Sequence, residues 1–163
     1  MDQLAEIETG TSAAWFSDEL AAVACSSATA RGKATMVERS AASGTMPPLL
    51  RRNVAETYRV LDGELVFFVG EDVVWARPGD VVVAPAGVAR TFRVDSDEGA
   101  RWLVVTHVCS LDRFSDFGRA VSAPLADPSA GWPSDSERSA VAAMGADNGI
   151  ELLGPPGALP GRL

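Results

Sequence analysis

GTMPPLLRRNVAETYRVLDG, residues 44–63, begins and ends on a glycine and contains the strand-and-turn run Tyr58-Arg59-Val60-Leu61-Asp62-Gly63. Side chains alternate between the two faces of a strand, so Leu50, Arg52, Glu56, Tyr58 and Val60 are expected to share one face. A second stretch, GDVVVAPAGVARTFRV at residues 79–94, adds Arg90, Phe92 and Val94 to that face. Working outward, turn signals recur at Ser43-Gly44, Asp62-Gly63, Gly70-Glu71, Pro78-Gly79, Pro85-Ala86-Gly87 and Asp97-Glu98-Gly99. Between them lie short runs rich in Val, Phe, Trp and Thr, at 64–69, 72–76, 81–84, 91–94 and 101–108. Strands at short, regular spacing between such turns indicate an antiparallel barrel or sandwich.

Two spacings make the pattern specific. Gly44, Leu50, Arg52, Glu56 and Gly63 fit G-x5-H-x-H-x3-E-x6-G, with Leu50 and Arg52 in the two histidine positions. Gly79, Pro85, Gly87, Arg90 and Val94 fit G-x5-P-x-G-x2-H-x3-N, with Arg90 for the histidine and Val94 for the asparagine. In these motifs the chain resembles the cupin superfamily, and with Trp15-Phe16 and the 149–156 segment it is similar to single-domain bacterial cupins called quercetin-dioxygenase-like. The resemblance implies an all-β jelly-roll barrel, a double-stranded β-helix, and a homodimer, since closing an exposed sheet edge is a physical reason to pair. It also implies a metal site, which this sequence departs from. A guanidinium has no lone pair to offer and stays protonated, so Arg52 and Arg90 cannot be metal ligands. Glu56 alone cannot supply the three or four ligands that iron or zinc needs, and His107 is the only histidine. The expectation is therefore no metal and no cofactor, and dioxygenase activity is not carried over with the fold. A metal enzyme with unorthodox ligands, such as Glu56 with His107, is the least favoured alternative.

Composition narrows the partners. The 163 residues suggest one domain, and 14 Lys and Arg against 22 Asp and Glu give a net charge of -8 with no basic stripe. On that ground neither nucleic acid nor an anionic membrane surface is expected as a partner. Residues 20–30 are apolar, but acids precede them where a signal peptide needs positive charge, so a cytoplasmic protein is expected. Cys25 and Cys109 lack metal or redox spacing; reduced thiols are the simpler reading, and a bridge between them stays open. The chain divides into an N-terminal arm or strand (1–32), the barrel (33–109) and a C-terminal helical appendage and tail (110–163). Within the last, 110–119 and 134–144 are expected to be short helices, and 154–163 a loose tail.

The shared face holds two cations, a carboxylate, a phenol and apolar walls. Such a lumen suits a small, largely apolar molecule bearing a carboxylate, enolate or phenolate. If chemistry occurs there, Arg52 and Arg90 would stabilise developing negative charge, Glu56 would transfer a proton and Tyr58 would position or protonate the substrate. Leu50, Val60, Phe92, Val94 and His107 would complete the substrate pocket, although the parity of His107 with Leu103 and Val105 leaves its direction open. The favoured function is then a metal-independent isomerase, cyclase or lyase. The alternative is a non-catalytic binding or scaffold protein in which Glu56 and the arginines form an internal ion pair filling the vacated metal site.

Overall fold

A computed structural model describes the backbone of residues 13–16, 19–25, 35–106, 139, 142–143, 145–147 and 149–161. Its strands are β1 (Ala13–Phe16), β2 (Glu19–Cys25), β3 (Thr35–Ala41), β4 (Pro48–Arg52), β5 (Glu56–Asp62) and β6 (Leu65–Val69). They continue as β7 (Asp72–Ala76), β8 (Val81–Ala84), β9 (Arg90–Val94), β10 (Ala100–Thr106) and β11 (Ile150–Pro156). Every described pairing is antiparallel, in a six-stranded sheet ordered β1-β2-β3-β10-β5-β8 and a five-stranded sheet ordered β11-β4-β9-β6-β7. The all-β jelly roll expected from the sequence is the fold of the chain.

Alternation explains how these sequences make a two-layered barrel. In β5, Glu56, Tyr58 and Val60 are buried while Arg59 is exposed; in β10, Ala100, Trp102, Val104 and Thr106 are buried and Arg101 is exposed. Register places Trp102 beside Val60, Val104 beside Tyr58 and Thr106 beside Glu56 on that inner face. The facing sheet contributes Leu65, Phe67, Val69, Phe92 and Val94 to one core cluster. Tyr58, Phe67, Phe92 and Trp102 form a chain of tilted ring contacts with centroids 5.0, 5.8 and 5.0 Å apart, geometries that aromatic quadrupoles favour. Gly63, at φ +72°, makes the turn after β5, and a Cβ there would collide with the Gly99 carbonyl and the Ser96 hydroxyl.

The C-terminal part differs from the expectation of a loose tail. Gly154, Pro155 and Pro156 belong to β11, which pairs with β4 through irregularities at Gly154 and Pro156. Proline is tolerated there because β11 is the edge of its sheet. Residues 139, 142–143 and 145–147 are helical, within and just beyond the second expected helix. The expected helix at 110–119, together with His107 and Cys109, lies outside the described residues. Among the described residues, no helix is long and apolar enough to cross a membrane.

Candidate functional site

The site is built across the lumen from both sheets. Arg52, the last residue of β4, and Arg90, the first of β9, come from the five-stranded sheet; Glu56 and Tyr58 come from β5 in the six-stranded one. All four side chains are buried, Arg52 and Glu56 each 4 % exposed, Arg90 3 % and Tyr58 8 %. Such burial of charge is tolerated only with close partners, and the partners are present. Arg52 Nη1 donates to Glu56 Oε1. Glu56 Oε2 accepts from Arg90 Nη2 at 2.5 Å, from Arg90 Nε at 3.1 Å and from the Tyr58 hydroxyl at 2.7 Å. Arg90 Nε also reaches the Tyr58 oxygen at 3.4 Å, and its Nη1 the Val88 carbonyl at 3.5 Å. A single carboxylate thus ties two arginines and a phenol together and joins the two sheets at one end of the lumen.

The ionisation equilibria follow from that geometry. Burial alone would raise the Glu56 pKa, but the Arg52 and Arg90 charges and the hydrogen bonds from Tyr58 and Arg90 outweigh it and hold the carboxyl at about 2. Burial and the adjoining Glu56 carboxylate both push the Tyr58 phenol above its usual range. Burial works against the Arg90 cation, yet Tyr58 and Glu56 more than offset this, so Arg90 lies above the ordinary arginine value.

The residues present do not fit a divalent metal. The positions that would supply imidazole ligands carry Leu50, Arg52 and Arg90, none of which can coordinate one, and both Glu56 oxygens already accept hydrogen bonds. Among the described residues, no three His, Cys, Asp or Glu side chains gather to hold an ion.

Most of the residues read from sequence as one face do come together. Arg52, Glu56, Tyr58 and Arg90 form the polar cluster, while Val60, Phe92 and Val94 lie deeper, in the packed apolar core. Leu50 is only partly buried, in register with Arg90 on one side and Leu152 on the other; its neighbour Leu49 is fully buried outside that core. Arg51 and Arg59 point outward, as their parity implies, and Arg51 pairs with Glu151 at 2.6 Å on the surface.

What the sequence reading missed is an open cleft of about 470 Å³ that Arg52 shares with Asn53, Gly87, Gly149, Ile150 and Leu152, with Ala142 and Ala146 on its helical side. Backbone hydrogen bonds build its walls. Gly87 N donates to the Arg52 carbonyl at 2.7 Å, and Asn53 N to the Gly149 carbonyl at 2.9 Å. Gly149, at φ +69°, lies so close to the Asn53 amide that a Cβ would collide with it. The sequence signals for this wall were Gly87 of the second motif and Asn53 next to Arg52; the contribution of Gly149 and Ile150 depends on β11 returning to β4. Thr106 was also missed. Its even parity with Trp102 and Val104 places it beside Glu56, and its buried hydroxyl makes no hydrogen bond among the described residues.

Comparison with known proteins agrees with this architecture. The family model described as a cupin domain matches residues 37–106. No curated protein matches the sequence. Among solved structures, the chain is similar to an RmlC-like cupin from Shewanella frigidimarina, at 12 % identity over 68 % of this chain and 96 % of that one, with a TM-score of 0.56. It is also similar to a predicted oxalate decarboxylase from Thermotoga maritima, at 18 % identity over 64 % and 99 % of the two chains, TM-score 0.57. A polyketide cyclase from Streptomyces resistomycificus aligns at 15 % identity over 66 % and 80 %, TM-score 0.53. At such identities the likeness is one of fold, and it selects no subgroup such as the quercetin-dioxygenase-like proteins. Motif spacing, jelly-roll topology and the family-model match together identify residues 37–106 of this chain as a cupin domain.

Proposed function

We propose that the protein is a metal-independent cupin that binds a small, largely apolar molecule bearing a carboxylate, enolate or phenolate in the cleft at the Arg52 end of the barrel. The observation that carries this reading is the double position of Arg52: its Nη1 is fixed on Glu56, and its side chain lines an open cleft that has apolar walls and also includes Arg51 and Glu151, which are paired with each other. Pre-orientation of a guanidinium removes much of the entropic cost of recognising an anion. Ala142, Ala146, Ile150 and Leu152 offer apolar contact, and Asn53 offers an amide at the rim. The cluster occupies the place of a metal centre and supplies the fixed positive charge that a metal would otherwise bring.

In this reading Glu56 holds the arginines rather than moving a proton, because a carboxyl at about 2 with both oxygens engaged is a poor base near neutrality. An isomerase-, cyclase- or lyase-type step extends the same proposal, with Arg52 stabilising negative charge that develops on the bound molecule. That a polyketide cyclase shares the fold is compatible with this extension without selecting it.

Ligand-detected NMR with benzoate and its neutral counterpart benzyl alcohol, both in EDTA, tests the proposal. Benzoate should bind and benzyl alcohol should bind at least about tenfold more weakly, as expected for recognition through a charge-assisted pair. Arg52→Met should remove the preference for the anion. Ala142→Trp, at an exposed position, should block the cleft while leaving the fold intact. Equal binding of both probes, or benzoate binding that survives Ala142→Trp, would overturn it.

A further inference from the structure

The Arg52 cleft carries a second polar feature, set apart from the buried cluster. Arg51 and Glu151 also line it, with side chains 45 % and 56 % exposed where that of Arg52 is 4 % exposed. Strand pairing explains the separation. Register sets Arg51 opposite Glu151 and Arg52 opposite Ile150, so the Arg51–Glu151 pair lies on the outer face of the sheet and Arg52 on the inner one. Arg52 ends β4 and Ile150 begins β11, and a cleft at these strand ends reaches both faces. At about 470 Å³ it has room for more than the anionic group of a ligand, and a molecule held at Arg52 has the exposed pair at its rim.

That pair does not use all of its hydrogen-bonding capacity on itself. Glu151 Oε2 accepts from both Arg51 Nε at 3.0 Å and Arg51 Nη2 at 2.6 Å, in place of the two-oxygen fork that an arginine and a carboxylate can form. Among the described residues, no protein group bonds Glu151 Oε1 or Arg51 Nη1. The rim therefore offers an acceptor and a donor side by side. It offers no net charge, since a second carboxylate there would meet Glu151 and an ammonium would meet Arg51.

The complement of such a rim is a neutral group that donates and accepts at once, as a hydroxyl does. We infer that Arg51 and Glu151 determine the specificity of the cleft, and that the molecule bound there is a monoanion carrying a hydroxyl at the end remote from its anionic group. The inference rests on the anion reading of the cleft and adds to it the second polar group of the ligand. Arg52 fixes the charged end, the apolar walls take the body, and the rim pair accepts from the hydroxyl through Glu151 Oε1 and donates to it through Arg51 Nη1. An exposed ion pair of this kind contributes little to the fold, so its removal is read in binding without unfolding the chain.

Ligand-detected NMR of the full chain in EDTA tests the inference with benzoate, meta- and para-hydroxybenzoate, the matching methoxybenzoates and terephthalate. The better of the two hydroxybenzoates should bind at least about fivefold more tightly than benzoate, as one net hydrogen bond gives. Its methoxy counterpart, which cannot donate, and terephthalate, which carries a second negative charge, should bind no more tightly than benzoate. Arg51→Ala and Glu151→Ala should each bring the ratio of hydroxybenzoate to benzoate affinity down to about one. Both side chains are exposed, so the circular dichroism spectrum should not change. Benzoate binding without a hydroxyl preference, a preference shared by the methoxy compound or by terephthalate, or a preference that survives Glu151→Ala would overturn this inference alone. No binding by any of the probes would overturn the anion reading of the cleft as well.

Discussion

Along β5 the lumen changes character within three inward-facing residues. Glu56 stands at the polar end, Val60 at the apolar end, and Tyr58 joins them with its hydroxyl on Glu56 and its ring 5.0 Å from Phe67. The residues of both ends are buried, but they are held by different means. The apolar end is held by many weak contacts, each of which can be trimmed with a graded loss. The polar end is held by one carboxylate, and every partner there depends on it. Removing one member of such a set leaves a charge buried without compensation, whereas removing the whole set costs little.

The largest expected effect breaks the polar end. Glu56→Gln should lose about 3–5 kcal/mol of stability near neutral pH, measured by urea unfolding, because two buried guanidiniums lose their counter-charge. Replacing Arg52, Glu56 and Arg90 together by leucine should recover most of that loss and mark the set as specifying a site rather than stabilising the fold. Phe67→Ala, which opens a cavity beside Tyr58 and Phe92, should cost a similar 3–5 kcal/mol.

Acidity then separates the two ends. The Glu56 carboxyl lies at about 2 in the folded chain against an ordinary value of 4.5, so its stabilisation is complete above about pH 5 and is lost as pH falls through 4.5 towards 2. The loss should reach about 3 kcal/mol. The Glu56→Gln penalty should therefore shrink as wild type is acidified, whereas the Phe67→Ala penalty should stay nearly constant; equal pH profiles would break the comparison.

Smaller changes sharpen it. Tyr58→Phe keeps the ring contact and removes one hydrogen bond to the carboxylate, so about 1–2 kcal/mol should be lost in thermal unfolding. Arg51→Ala, one residue from Arg52 but exposed and paired with Glu151 on the surface, should change stability by less than about 1 kcal/mol. The contrast between Arg51 and Arg52 is one of strand parity.

The fold was legible because it rests on spacing. Glycine and proline turns at 44, 63, 79 and 87, with period-two burial between them, place β4 to β10 whatever occupies the ligand positions. The polar cluster was legible in part: parity turns Glu56 and Tyr58 inward together on β5, but the single face read over residues 50–60 is divided between β4 and β5 in facing sheets, and Arg52 and Arg90 meet Glu56 across the lumen. Its connectivity was not, because which oxygen of Glu56 accepts from which arginine depends on the distance between the two sheets. The cleft was less legible still. It requires Gly149 and Ile150 to return about a hundred residues later beside β4, and the two prolines of β11 read locally as a break rather than as an edge strand.

The proposal that the Glu56 cluster stands in place of a metal is tested most directly by the unfolding free energy of wild type and Glu56→Gln near pH 7, each in EDTA and in excess zinc or manganese. The expected result is a gap of about 3–5 kcal/mol between the two proteins that neither metal changes. A wild-type protein stabilised by metal in a saturable manner that Glu56→Gln abolishes would contradict it, as would a variant as stable as wild type.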